Sequence, residues 1–348
     1  MNSAAANWLG LAAVAVTGGG LLLGLPLVLD DFTLLQITVY AVMGILGMSL
    51  GFIWGFGGIL CFGQSAFFGL GAYAYAVAAI NIGESTLPFL LSIALPAALA
   101  AALGYFMFYA RISDVYVGVI TLTVALIFFN VVNSTSGAQY HIGKALLGGF
   151  NGIPAVPPLN YPFLPDDTLD PTDMFYVSGG LLLLVYFGLR ALLVTRFGRV
   201  IVAIRENEER VGFIGYDVRL HKLVTFTIGG AIAGLAGCLF ANWGSFVSPT
   251  LFGLIQSAQA IIWVVVGGLG TLLGPILGAA LMSWLAALLG TQSAVNTPLI
   301  FGAILIVFVL LVPNGILPML GQRLGPLVLR GPARGRRAAA APAREGKP

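Results

Sequence analysis

The sequence predicts an all-α polytopic membrane protein: about ten transmembrane helices, a Gly-rich interrupted segment among them, and a short helix on the cytoplasmic side. Three observations carry that prediction. Of 348 residues, 59% are hydrophobic and only 8% charged, with a mean hydropathy of +0.99, against about 25% charged in a soluble globular domain. The apolar residues fall into ten runs, each near the roughly 20 residues a helix needs to cross a bilayer. The charges between the runs alternate in the way the positive-inside rule requires. A soluble multidomain enzyme is excluded.

The runs cover 8–29, 33–54, 66–82, 87–109, 114–133, 174–194, 223–243, 255–272, 274–290 and 298–317. No Lys or Arg precedes the first, so it lacks the basic n-region of a signal peptide and reads as a retained helix, weakened by Gly18-Gly19-Gly20 and Pro26. Segment 195–222 carries six basic residues (Arg196, Arg199, Arg205, Arg210, Arg219 and Lys222), and the chain from Arg323 onward carries seven, which assigns both to the cytoplasm. Segment 134–173 sets Lys144 against Asp166, Asp167, Asp170 and Asp173 and reads as an external loop. Ten crossings from a cytoplasmic N-terminus agree with every loop and leave both termini cytoplasmic. Residues 1–320 then form the transmembrane domain, and 321–348 a basic tail whose Gly, Pro, Ala and Arg content predicts disorder. Its arginines set topology or attract anionic headgroups.

The inventory excludes several chemistries. None of the three lysines, Lys144, Lys222 and Lys347, is followed by Ser or Thr, so a phosphate-cradling P-loop is absent. Two histidines (His141, His221) and two cysteines in apolar surroundings (Cys61, Cys238) make no zinc or haem ligand set. No catalytic residue, metal site or resident cofactor is expected. The apolar runs hold almost no Asp, Glu, Lys or His, whereas proton-driven carriers place such groups in the bundle interior. Sodium can be held by backbone and hydroxyl oxygens, so sodium coupling is disfavoured but open. Energy for uphill transport is expected to come from another subunit.

Glycine, at 47 residues, recurs at spacings of four: Gly47, Gly51 and Gly55; Gly230 and Gly234; Gly270, Gly274 and Gly278. That spacing bares backbone on one helix face and lets helices approach closely. The run Gly55–Tyr73 differs: seven of its nineteen residues are Gly or Ser and none is charged, and each Gly costs a helix about 1 kcal/mol relative to Ala. It is either a tight cytoplasmic turn or non-helical backbone at membrane depth, which is tolerated where protein buries it or a watery cavity receives it. In the second case Gly63, Gln64 and Ser65 border a translocation path walled by Phe67 and Phe68. Gly267–Pro275 has similar character and hints at a repeat.

In segment 195–222, Gly198–Gly212 reads as one short helix. Arg205–Glu209 and Glu206–Arg210 are i,i+4 pairs, each worth about 0.2–0.5 kcal/mol, Val200, Ile204 and Val211 share a side, and Gly215 is the expected stop. Such a helix docks into a soluble partner or serves as a solvated connector. The acidic stretch Asp166–Asp173 offers oxygens for Mg²⁺ or Ca²⁺, but Pro162, Pro165 and Pro171 make it a loop. A solvated loop, or one that receives a partner by charge complementarity, is the simpler reading.

These residues resemble a known family. Trp54–Tyr73 resembles the signature of branched-chain amino acid ABC-importer permeases, and Gly198–Glu208 followed by Gly215 resembles their cytoplasmic coupling helix. Gly149–Ile153 and Gly267–Pro275 look like two further family elements. The LivM-type subunit is the closer match, through the long external loop and Arg205-Glu206-Asn207-Glu208, and the similarity runs from about residue 35 to 320. Two positions depart from the pattern: Gln64 stands where the commonest family form has His, and Glu209 and Arg210 where it has small apolar residues.

The resemblance implies a permease subunit of the bacterial inner membrane, surrounded by lipid and binding no nucleic acid. Its implied partners are a LivH-type permease subunit, two cytoplasmic ATPases that hold ATP and Mg²⁺, and a periplasmic binding protein. It implies ATPase docking by Arg199, Arg205, Glu206, Asn207, Glu208, Arg210 and Gly215, and a path beside Gly63, Gln64, Ser65, Phe67 and Phe68. The cargo it implies is branched-chain or related small amino acids, with urea, amides and aromatic acids as alternatives. An ion-coupled secondary transporter and a lipid-handling membrane enzyme are the rival classes.

Overall fold

The computed structural model describes residues 3–137, 139–161 and 164–290, with isolated positions between 300 and 317. The expected span 298–317 lies largely outside the described residues, and the tail 321–348 entirely so. Five helices come first: α1 (Ser3–Val28), α2 (Asp31–Gly55), α3 (Gln64–Ile82), α4 (Thr86–Tyr109) and α5 (Asp114–Ser134). After the loop come α6 (Pro171–Val194), the short α7 (Arg196–Glu206) and α8 (Glu208–Phe213), then α9 (Val218–Gly244), α10 (Leu254–Gly267) and α11 (Leu273–Gly290). Seven of these are long and apolar enough to cross a membrane: α1 from Gly10, α2 to α6, and α9. The chain is an all-α polytopic membrane protein.

The expected span 255–272 needs correcting. Its helix, α10, has 14 residues, about 21 Å at 1.5 Å per residue, which is short of a hydrocarbon core of about 30 Å. It stops because Gly268 and Gly270 take φ of +118° and +80°, conformations open to glycine and strained for other residues. It also starts late, after a 3₁₀ turn at Pro249–Phe252.

α9 lies at the centre of the bundle against α2, α3 and α4, while α11 and α6 flank α2. The glycine ladders are where these helices touch. A Cβ added at Gly237 would lie 2.0 Å from the Phe68 carbonyl oxygen, and one at Gly71 2.3 Å from that of Gly234, so α3 and α9 cross backbone to backbone. Gly47 and Gly51 receive Pro275 of α11, and Gly230 receives Ala100 of α4. The core they close contains Phe52, Phe67, Phe68, Tyr75, Phe226 and Phe252, all under 2% exposed. Among the described residues the fully buried side chains include Ser, Thr, Asn and Gln but no Asp, Glu, Lys, Arg or His, and Arg190 of α6 is half-buried with its Nε out of solvent.

The loop between α5 and α6 has more structure than its proline content suggests. β1 (His141–Ile142) pairs with β2 (Ala145–Leu146), and β4 (Asn160–Tyr161) with β5 (Leu164–Thr168). β3 (Ile153–Pro154) pairs with β6 (Phe246–Val247), just beyond α9. Side chains at the end of α3 fasten the loop. Tyr75 Oη donates to Pro157 O at 3.0 Å, and Asn81 donates to Ile142 O at 2.8 Å and accepts from Lys144 N at 2.6 Å.

Candidate functional site: two helix breaks and the α7–α8 arm

A helix end leaves four carbonyls without intrahelical partners. At the end of α2, Phe52 O accepts from Phe56 N and Gly57 N, Ile53 O from Ile59 N and Trp54 O from Gly58 N. The fourth, Gly55 O, accepts from the guanidinium of Arg205 in α7. Gly58 turns the chain with φ +72°. Residues 56–63 then run back into the bundle without helix, and α3 starts at Gln64. Phe62 N and Gly63 N both donate to Thr121 Oγ1 of α5, at 3.2 and 3.3 Å.

Gln64 lies opposite Ser49, to whose Oγ its Nε2 donates at 2.8 Å. Ser49 is six residues before the end of α2, about 9 Å along its axis. The interrupted segment therefore climbs into the bundle and is not a turn confined to its end. Gln64 Nε2 also reaches Gly229 O at 3.4 Å, while its Oε1 is buried with no hydrogen-bond partner. Ser65 Oγ donates to Phe252 O at 3.1 Å and meets Ser257 Oγ at 2.7 Å. The first turns of α3 and α10 thus join, and Gln64, Ser65, Phe67 and Phe68 are all within 1% of full burial. In this state of the chain they form a closed contact.

The second glycine-rich stretch sits against the first: a Cβ on Gly55 would be 2.8 Å from Gly270 N. The hinted repeat has this content, two breaks in contact at the α7 end of the bundle.

The single helix expected over Gly198–Gly212 is two helices. Thr195 Oγ1 caps α7 by accepting from Gly198 N. Asn207 is extended (φ −161°, ψ 99°), and its Oδ1 accepts from Arg210 N at 2.9 Å as the N-cap of α8. A capping Asn offers the backbone an alternative to continuing the helix, so the i,i+4 register is lost there. The expected Arg205–Glu209 and Glu206–Arg210 pairs do not form. The ion pairs among the described residues are Arg205–Glu206, at 2.7 Å, and Lys222 with both Glu208 and Asp114. Val200, Ile204 and Val211 pack together as expected, and Gly215 (φ +96°) ends the arm.

Of the seven residues assigned to docking, four have internal tasks. Arg205 caps α2, Asn207 caps α8, Glu208 holds Lys222, and Gly215 makes the terminal turn. Arg199, Glu206 and Arg210 remain on the surface. Beside them α7 and α8 enclose a cleft of about 400 Å³ lined by Arg196, Arg199, Val200, Val211, Ile214 and Tyr216. Phe213 and Ile214 stand 88% and 74% exposed at its tip. Sequence reasoning missed Ser49, Thr121, Ser257 and Lys222. A hydroxyl inside a charge-free apolar run is the signal that marks the first three, but it cannot name their partners.

The family described as "Branched-chain amino acid transport system / permease component" matches residues 32–311, which include both breaks and the arm. The chain belongs to this permease family. It is 30% identical over 298 residues to "High-affinity branched-chain amino acid transport system permease protein LivM" of Escherichia coli (strain K12), covering 79% of this chain and 67% of that protein. It is 28% identical over 124 residues to the corresponding LivH protein of the same strain, 35% of this chain and 40% of that one. It is also 33% identical over 105 residues to "Autoinducer 2 import system permease protein LsrC" of Escherichia coli O9:H4 (strain HS), 30% of each chain. No solved structure matches the permease.

Proposed function

We propose that this permease is the LivM-type subunit of a binding-protein-dependent ABC importer in a bacterial inner membrane, carrying branched-chain or related small amino acids. It pairs with a LivH-type permease subunit. Two cytoplasmic ATPases supply ATP hydrolysis with Mg²⁺, and a periplasmic protein delivers the solute to the side bearing loop 135–170. The chain does no chemistry of its own and has no P-loop.

The observation that carries this reading is the α7–α8 arm. Phe213 and Ile214 are large apolar side chains standing 88% and 74% exposed beside a cleft rimmed by Arg196 and Arg199. An apolar knob with a basic rim is the chemistry of a protein-docking surface, and it extends from a bundle that, among the described residues, has no fully buried Asp, Glu, Lys or His to relay protons. The six basic residues of segment 195–222 support a cytoplasmic position for this arm. Nucleotide-driven closure of the ATPases moves the arm, and the arm moves the two helix breaks. The path opens where Ser65 and Ser257 now meet. The LivM and LivH relatives support branched-chain amino acids, and the LsrC relative shows that similar sequences are also named for a different cargo.

The test is reconstitution of the two permease subunits and two ATPases in proteoliposomes, with the periplasmic protein supplied on the solute side. ATP-dependent leucine uptake is expected, and Phe213→Glu with Arg199→Glu is expected to release the ATPase while the permease stays monodisperse. Retention of the ATPase and of uptake in that double variant overturns the docking assignment. Concentrative uptake by the permease alone, under a proton or sodium gradient, overturns the class.

A further inference from the structure

Arg205 was placed among the residues that dock the ATPase, but its guanidinium points the other way. Nη1 donates to the Gly55 carbonyl at the end of α2, and Nη2 pairs with Glu206 at 2.7 Å. A Cβ built on Gly58 would fall 2.8 Å from Arg205 Cγ, and one on Gly270 would fall 3.4 Å from Nη1. The two breaks touch each other directly beneath it, Gly55 against Gly270. One side chain therefore meets the end of α2, the first turn of the segment 56–63 and the loop that ends α10. Gly58 and Gly270 both have positive φ, +72° and +80°. Neither can accept a side chain without strain, so the space that Arg205 fills is backbone-lined on all three contacts.

We infer that Arg205 is a positioning residue: the strut through which movement of α7 is delivered to both helix breaks. This rests on the proposed function, because it needs an ATPase to move α7. Three physical features suit the role. A cation at a helix C-terminus is held by the aligned carbonyl dipoles as well as by the hydrogen bond, so the contact persists as the helices shift. The planar guanidinium donates in two directions in a fixed fork, so its position follows α7 and α2 together. The contact also supplies the donor for Gly55 O, the one of the last four α2 carbonyls with no backbone donor, so pulling it away leaves a buried acceptor unpaired, which is costly. A displacement of α7 is thus cheaper if Gly55 and Gly270 move with it than if the strut breaks. The contact closes at Gly55, about 9 Å along α2 from Ser49, the residue that Gln64 meets at the far end of segment 56–63.

The experiment uses the assembled transporter in proteoliposomes with leucine as the probe. Arg205→Ala is expected to keep the ATPase bound and ATP hydrolysis within about twofold, while leucine moved per ATP hydrolysed falls about tenfold. Arg205→Lys, which keeps a cation able to reach Gly55 O, is expected to recover part of that ratio. If Arg205→Ala is not monodisperse, Gly270→Ala is read instead. Its methyl group strains the positive-φ backbone that lies 3.4 Å from the guanidinium, so the break shifts away from Arg205, and the ratio is expected to fall there too. An unchanged ratio overturns the inference, and so does loss of ATPase binding by a monodisperse Arg205→Ala, which makes Arg205 a docking contact. Should the wild-type chain retain no ATPase, the proposed function fails first, before any variant is read.

Discussion

The hydroxyls of Ser65 and Ser257 meet at 2.7 Å across 192 positions of sequence. Both lie within 2% of full burial, and each sits in the first turn of a helix that starts inside the bundle. The pair latches the start of α3 to the start of α10, and Phe252 O, which also accepts from Ser65, ties the latch to the 3₁₀ turn.

Replacing either hydroxyl leaves the other partner buried with one bond fewer. Ser65→Ala and Ser257→Ala are each expected to lower stability by about 1–2 kcal/mol. The double variant should cost less than the sum by at least about 0.5 kcal/mol, because the two groups share one bond. Thermal unfolding of the purified permease in detergent measures this. Strictly additive losses would show that the two hydroxyls do not act as a pair.

The α3–α9 crossing predicts a steep cost for a single methyl group. Gly237→Ala places a Cβ 2.0 Å from a backbone oxygen, while Gly188 has nothing within 4 Å. Gly237→Ala is expected to cost about 1–3 kcal/mol or more through overpacking. Gly188→Ala is expected to be neutral or to gain a few tenths of a kcal/mol in helix propensity. Equal melting temperatures for the two variants would contradict the crossing.

Lys222 is 11% exposed and bridges Glu208 of α8 to Asp114 at the start of α5, whose carboxylates are about half exposed. Lys222→Met removes both bridges, and the freed carboxylates can turn to water, so the global loss is expected to stay under about 1 kcal/mol. Locally the effect is larger: amide exchange across 208–216 should accelerate relative to 218–244. Unchanged exchange would mean that α8 is held by Val200, Ile204 and Val211 alone. Glu208→Lys carries the same consequence by setting two ammonium groups together, so it is a poor probe of docking.

Gln64 has one side of its amide satisfied and one orphaned. Gln64→Leu loses the bonds to Ser49 and Gly229 but also removes a buried unpaired oxygen, so the two effects of about 1–3 kcal/mol oppose each other. Stability is expected to change by about 1 kcal/mol or less, with uptake reduced in the reconstituted complex. Undiminished uptake would remove Gln64 from the translocation path.

Class, the positions of the seven long apolar helices and the location of the first break were legible because they depend on local composition, whereas α10 and α11, expected as spans, are shorter than the seven. Asp30 and Asp31 bound α2, four glycines (Gly55, Gly57, Gly58 and Gly63) end it and delay α3, and six arginines and lysines mark the arm. Gly215 as a stop, and the shared side of Val200, Ile204 and Val211, followed from spacing along one short segment. The helix break at Asn207 was also written locally, in an N-cap residue followed by Glu208 and Glu209, but the i,i+4 charge pattern across it argued for continuity.

What the amino-acid string settled is which stretches leave water and which side chains lack charge, since transfer into an apolar medium is decided residue by residue. It could not settle which buried oxygen meets which donor. Ser65 finds Ser257, Arg205 finds Gly55 and Lys222 finds Asp114 at separations of 192, 150 and 108 positions. Polar groups in a dry bundle must pair, but with whom is set by how glycine-faced helices pack, and only that packing turned an apparent docking arginine into the cap of a distant helix.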